Sequence, residues 1–127
     1  MSETKDIRKE LESRVLVMDG AMGSLLQDYK LSEEDYRGEL LKNAGHDQKG
    51  NNDILSLTKP SVIREIHCKY LEAGADIILT NTFNANRISQ ADYNTQSLVF
   101  DMNKASTKIA RDAADEFTLQ YPVKPRF

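Results

Sequence analysis

Two short stretches carry residue types that could hold a small polar molecule. The first is Val15-Leu16-Val17-Met18-Asp19-Gly20-Ala21-Met22-Gly23-Ser24. Four apolar residues end at an acid, and two glycines follow within four positions. Asp19 can take a cationic group. The free backbone N–H groups of a helix starting near Ala21 favour an anion. An amino-acid zwitterion carries both charges. The second stretch, Thr80-Asn81-Thr82-Phe83-Asn84, supplies amides and hydroxyls that can orient such a ligand. The competing readings are an ordinary strand-to-helix turn with a solvated Asp19, and loop capping by Asn and Thr.

Other reactive residue types are scattered. His46 stands among polar residues with no second ligand at metal spacing, which reads as a solvent-exposed side chain. His67 and Cys68 are adjacent on a predicted helix and point about 100° apart, so they do not readily share a metal. Both read as structural or surface residues. Cys68 is the one cysteine, so an internal disulfide is excluded.

The elements that must position Asp19 and Asn81 follow from periodicity. Asp6 to Arg14 reads as a short amphipathic helix, or equally as a solvated leader. Val15 to Asp19 is an apolar run bounded by a turn, which predicts a strand buried on both faces. A short helix follows near Ala21 to Gln27. Asp28 to Leu57 shows little periodicity and reads as a long loop, a feature that is often functional. A helix opens at Thr58-Lys59-Pro60 and stops at Gly74. Ala75 to Thr80 is a second buried strand, with Asp76 at its start in a structural role. Ile88 to Tyr93 is a helical turn closed at Asn94. A long helix runs from Ser97 to about Gln120, with Leu98, Met102, Ile109, Ala113 and Phe117 on its apolar face and Ala105 filling the gap. The chain breaks at Tyr121-Pro122, and Phe127 begins a third strand.

Strand–helix alternation predicts an α/β fold with a parallel sheet and right-handed crossovers. Two strands cannot complete such a sheet, and a (β/α)8 barrel needs about 250 residues. Residues 1–127 are therefore expected to be an incomplete domain: the first two βα units of a TIM barrel and the start of a third strand. In that fold, strand C-terminal ends carry chemistry, and Asp19 and Asn81 both lie there.

Charge and hydropathy exclude several classes. The chain has 127 residues, 17 basic and 20 acidic, for a net charge of −3. That gives no electrostatic case for nucleic acid or an anionic membrane. No apolar run approaches the ~20 residues of a membrane span. The polar start, Met1 to Asp6, has no signal-peptide core, so a cytoplasmic location is expected.

The sequence resembles the homocysteine-binding domain of the cobalamin-dependent methionine synthases from about Arg14 to Phe127. The matching stretches are Met18 to Gly23, Glu34 to Gly38, Lys49-Gly50-Asn51-Asn52-Asp53-Ile54-Leu55-Ser56-Leu57-Thr58-Lys59-Pro60, Ala73 to Ile78 and Thr80 to Phe83. Ser89 to Tyr93 and Ala113 to Phe117 match as well. The Lys49 to Pro60 block is the most specific. The resemblance implies zinc-dependent methyl transfer from methylcobalamin to homocysteine, giving methionine, with 5-methyltetrahydrofolate remethylating the cobalamin. It implies that Asp19 holds the amino group of homocysteine and that the backbone of Gly20, Ala21, Gly23 and Ser24 serves its carboxylate. Asn81 and Thr82 match the second strand-end motif.

The resemblance also implies that the zinc cysteines lie on later strands, beyond Phe127, and that cobalamin and folate modules lie further along a full-length chain. Neither zinc nor cobalamin is expected to bind this segment alone, and the isolated segment is expected to be inactive. Three positions depart from the family pattern. Leu79 stands where Glu is usual, Ser24 where Thr is usual and Asn94 where Gly is usual. The alternatives are a cobalamin-independent homocysteine methyltransferase using betaine or S-methylmethionine, against which the Lys49 to Pro60 block argues, and an inactive truncated chain.

Overall fold

The computed structural model describes residues 5–127. Residues 1–4 of the polar start, Met1 to Asp6, lie outside them. The described chain is mostly helical: α1 Ile7–Ser13, α2 Met22–Asp28, α3 Glu33–Arg37, α4 Leu55–Thr58, α5 Pro60–Glu72, α6 Arg87–Ala91 and α7 Val99–Gln120. Two 3-10 turns, Asn52–Ile54 and Gln96–Leu98, lead into α4 and α7.

Local chemistry sets several helix ends. The Asp6 side chain accepts the Arg8 N–H at 3.0 Å and starts α1. Ser32 and Asp35 form a reciprocal capping box on α3. Pro60 sits at the first position of α5, where its missing N–H is not needed. Gly74 follows that helix with φ +110°, a conformation that favours glycine. Asn86 caps α6 by accepting the Ser89 N–H at 2.9 Å.

Residues 15–19 and 75–79 were expected to be strands, and no strand forms among the described residues. A parallel pairing of Met18 with Ile77 stands in their place. Ile77 N–H donates to Val17 O at 3.1 Å, and Asp19 N–H donates to Ile77 O at 2.8 Å. On the other side of Ile77, Phe127 N–H donates to Asp76 O at 2.7 Å and Ile78 N–H donates to Phe127 O at 2.8 Å. The three segments thus meet at one rung, with 75–79 in the middle. The reason is lateral support. Val15, Val17 and Met18 are 85%, 58% and 52% exposed, so the first segment is not buried on both faces as expected. Among the described residues, nothing covers that side.

The core lies on the helical side. Leu26, Tyr36, Ile54, Leu55, Ile63, Ile66 and Met102 form one buried cluster between α2, α3, α4, α5 and α7. Leu71, Ile78, Ala110, Ala113, Ala114 and Phe117 form a second, where α5 packs on α7. The predicted apolar face of α7 is recovered at Met102, Ala113 and Phe117, while Ser106, not read as core, is fully buried.

Asp76 fastens the start of the middle segment. It is 3% exposed, receives Arg14 Nη1 at 2.8 Å and accepts the Val17 N–H at 2.9 Å. Burial alone would raise its pKa; these donors overcome it and hold the carboxyl below its ordinary value. This matches its predicted structural role. Arg126 closes the opposite edge by donating from Nη1 to the carbonyls of Leu71 and Ala75 at 2.5 and 3.0 Å.

The long loop expected over 28–57 is built rather than structureless. It contains α3, the 3-10 turn and α4. Gln48, Asn51 and Gln90 are at most 2% exposed. Asn51 Nδ2 donates to Gln90 Oε1 at 2.9 Å, and Gln90 Nε2 returns a bond to Asn51 Oδ1 at 3.0 Å. Thr95 Oγ1 donates to Gln90 Oε1 at 2.6 Å, and Gln48 Nε2 to Tyr93 O at 2.9 Å. Side-chain amides here replace the backbone ladder that periodic structure would have supplied.

Candidate functional site

A cleft of about 580 Å³ opens where the paired segments end. Its walls are residues 19–23, Gly50, Asn52, Asp53 and residues 79–84. The two stretches singled out by residue type therefore meet across one cavity, with part of the Lys49 to Pro60 block between them.

Asp19 is half-buried at the end of the first segment. Its Oδ2 accepts the Leu79 N–H at 3.1 Å. Its Oδ1 is enclosed and has no hydrogen-bond partner among the described residues. Burial raises the Asp19 pKa, and the Leu79 N–H offsets this only in part.

Gly20, Ala21 and Gly23 line the cleft as α2 begins at Met22. Ser24 is exposed and falls outside the lining. Tyr70 fixes the turn, its hydroxyl donating to Ala21 O at 2.8 Å. A Cβ at residue 20 would stand 3.0 Å from that hydroxyl, a contact tight enough that Tyr70 would have to shift by a few tenths of an ångström. A Cβ at residue 23 would meet only Asn52 Nδ2, at 3.7 Å.

Asn81 and Thr82 behave differently from each other. Asn81 is 6% exposed, and its Nδ2 donates to Asn52 O at 2.9 Å and Ser56 Oγ at 3.3 Å. Its backbone carbonyl lies 3.2 Å from Ser106 Oγ. The amide nitrogen of Asn81 is thus engaged in holding the wall. The hydroxyls of Thr82 and Thr80 lie 2.7 Å apart on the exposed side of that wall.

Sequence reasoning missed Asn52 and Asp53. Asp53 is 3% exposed yet lines the cleft, and its Oδ2 accepts the Asn84 N–H at 2.9 Å. Burial pushes its pKa up, against hydrogen bonds from the Asn84 and Asp53 N–H groups. Asn52 Oδ1 accepts the Tyr36 hydroxyl at 2.9 Å. The signal that could have found them was already visible: two adjacent polar residues directly before the apolar run Ile54-Leu55.

His46 is exposed, as expected, and His67 is fully buried on α5. Cys68 is half-buried on the same helix, away from the cleft. Among the described residues, no group of three His, Cys, Asp or Glu side chains gathers closely enough to hold a metal ion. No helix among them is long and apolar enough to cross a membrane.

The cleft lies in a segment with recognisable relatives. Two crystal structures of the homocysteine methyltransferase MmuM from Escherichia coli, its oxidized and metallated forms, share the fold with TM-scores of 0.72 and 0.70. Each is 21% identical to this chain, which is covered to 95% in both cases. The chain spans 38% of the length of each. The family model for homocysteine S-methyltransferase matches residues 16–127, from the first paired segment through the last described residue. This chain belongs to the homocysteine S-methyltransferase family.

Proposed function

We propose that this chain forms the amino-acid end of a homocysteine site, in a protein that transfers a methyl group to the homocysteine sulfur and so makes methionine. The observation that carries the reading is the enclosed, unpartnered Oδ1 of Asp19. A buried carboxylate oxygen without a donor is unfavourable by roughly 1–3 kcal/mol. An ammonium group entering the cleft supplies the donor after a small turn of the side chain. The family membership supplies the ligand whose ammonium it would be.

In this reading Asp19 holds the amino group. The backbone of Gly20, Ala21 and Gly23 faces the carboxylate, while Ser24, outside the lining, does not reach it. Thr82 is the better placed of the two second-stretch candidates, because the Asn81 amide nitrogen is already engaged. The three segments that meet at Ile77 would be the opening of a (β/α)8 barrel, and the exposed side of residues 15–18 would face its later strands.

The residues present do not fit the zinc site that the family resemblance implies, since the cleft gathers no third metal-binding side chain. The sulfur end of the substrate needs groups that these residues do not supply. Methylcobalamin, regenerated from 5-methyltetrahydrofolate, is the methyl donor we favour, on the resemblance of the Lys49 to Pro60 block. A donor such as betaine or S-methylmethionine fits the fold equally well.

The test uses the full gene product that carries these residues. It should form methionine from homocysteine with methylcobalamin, and not with S-methylmethionine. Asp19→Asn should raise KM for homocysteine at least about tenfold, the equivalent of roughly 1.4 kcal/mol of binding. An unchanged KM would reject Asp19 as the amino-group ligand. Methyl transfer from S-methylmethionine alone would reject the cobalamin assignment. In calorimetry, the 127-residue chain by itself should give no heat with homocysteine.

A further inference from the structure

Two bonds run from the Asn81–Asn84 wall to the Asn52–Ser56 segment, with side-chain and backbone roles exchanged between them. Asn81 Nδ2 donates to the backbone carbonyl of Asn52 at 2.9 Å. Asp53 Oδ2 accepts the backbone N–H of Asn84 at 2.9 Å. Each segment gives one side chain and one backbone group, so the pair forms a clasp. Between the two bonds lie Thr82 and Phe83. Among the described residues Thr82 makes short-range bonds: its N–H donates to Thr80 O at 2.9 Å, its carbonyl accepts the Ala85 N–H at 3.2 Å, and its hydroxyl lies 2.7 Å from that of Thr80.

We infer that Asp53 is a positioning residue for the substrate site: through the Asn84 N–H it sets where Thr82 stands on the cleft wall. The inference rests on the homocysteine reading of that cleft. Asp53 is 3% exposed, and its role runs through the loop rather than through contact with the ligand. The device explains why an acid is kept in a buried place. A carboxylate accepts a backbone N–H more strongly than a neutral acceptor does, and its geometry fixes the loop from one side. Losing the bond frees the N–H side of Asn84, whose carbonyl stays held by Gln90 Nε2 at 3.0 Å, and so loosens the stretch that carries Thr82.

The experiment has two independent readouts. In the 127-residue chain, amide hydrogen exchange at Asn84 is followed in wild type, Asp53→Ala and Asp53→Asn. In the full gene product, KM and kcat for homocysteine are measured for the same variants. Asp53→Ala should speed Asn84 exchange at least about tenfold and raise KM about tenfold, with kcat within about twofold, a tenfold change being roughly 1.4 kcal/mol. Asp53→Asn keeps an acceptor oxygen and should restore both to within about threefold. Unchanged exchange in Asp53→Ala would overturn the clasp. Faster exchange with unchanged KM would overturn positioning. If Asp53→Ala does not fold, Asp53→Asn decides alone, since a tenfold rise in KM without faster exchange rejects the mechanism. A wild-type product that does not use homocysteine overturns the functional reading, while the exchange data still judge the clasp.

Discussion

The Asp19 carboxylate accepts the backbone N–H of Leu79 at 3.1 Å, across 60 residues of sequence. Both residues end the segments that pair through Met18 and Ile77, so the bond ties the two mouths of the cleft together. The Leu79 side chain, 54% exposed, takes no part in it. The backbone donor at residue 79 therefore does not depend on the leucine side chain.

The bond does not fully offset the burial of Asp19, whose pKa is raised. The sign follows directly. A folded state that holds the proton more tightly than the unfolded state loses stability as pH rises through the raised pKa. Ionised Asp19 is thus a strain on the fold at neutral pH, of the kind binding sites carry. Asp19→Asn should unfold at a higher temperature than wild type at pH 7, with the gap closing towards pH 4. A lower midpoint at pH 7 would show that the charge is already well satisfied.

His67 predicts the opposite slope. It is fully buried on α5, and neither ring nitrogen has a partner among the described residues. Burial lowers its pKa to about 4. Because the folded pKa lies below the unfolded one, the neutral ring's contribution is complete above pH ~6.5 and lost as pH falls towards 4. The loss is about 3 kcal/mol on that shift. His67→Leu should flatten the stability difference between pH 6.5 and 4 relative to wild type in urea titrations. A variant with the same slope as wild type would place the titration elsewhere.

Asn51 and Gln90 exchange two hydrogen bonds inside the protein, at 2.9 and 3.0 Å. Removing either side chain strands its partner's polar atoms, so each single alanine variant should lose about 2–3 kcal/mol. The double variant should lose clearly less than the two losses combined, with a coupling of at least about 1 kcal/mol. Additive losses would mean that the two amides act independently. Because Gln90 Nε2 also donates to Asn84 O at 3.0 Å, a disturbed network should also loosen the cleft wall.

What the sequence made legible was mostly local. The Asp6 and Pro60 helix starts sit beside the periodic runs they open, and the Asp19 turn is announced by the end of an apolar run, whereas the Ser32 capping box falls in a stretch that reads as loop. The Asn51–Gln90 pair could not be read the same way, because its partners lie 39 residues apart and neither sits in a periodic run. The same holds for Ser106, whose hydroxyl lies 2.7 Å from Ser56 Oγ in the core. Residues 15–19 gave the reverse error. Their pattern fits a strand buried on both faces, yet among residues 5–127 they form a single bridge to Ile77 and Val15, Val17 and Met18 stay 85%, 58% and 52% exposed.

Gly20 offers a test of the turn itself. A Cβ there would stand 3.0 Å from the Tyr70 hydroxyl and 3.3 Å from Cε1, and the hydroxyl is tethered to Ala21 O at 2.8 Å. A retreat of the ring by a few tenths of an ångström stretches that bond. Gly20→Ala should therefore destabilise the chain by about 1–2 kcal/mol, although Ala is otherwise favoured over Gly for chain entropy. Tyr70→Phe removes both the closest atom and the tether, so Gly20→Ala in that background should lose at least about 0.5 kcal/mol less. An equal loss in both backgrounds would mean that the backbone of residue 20, rather than Tyr70, demands glycine.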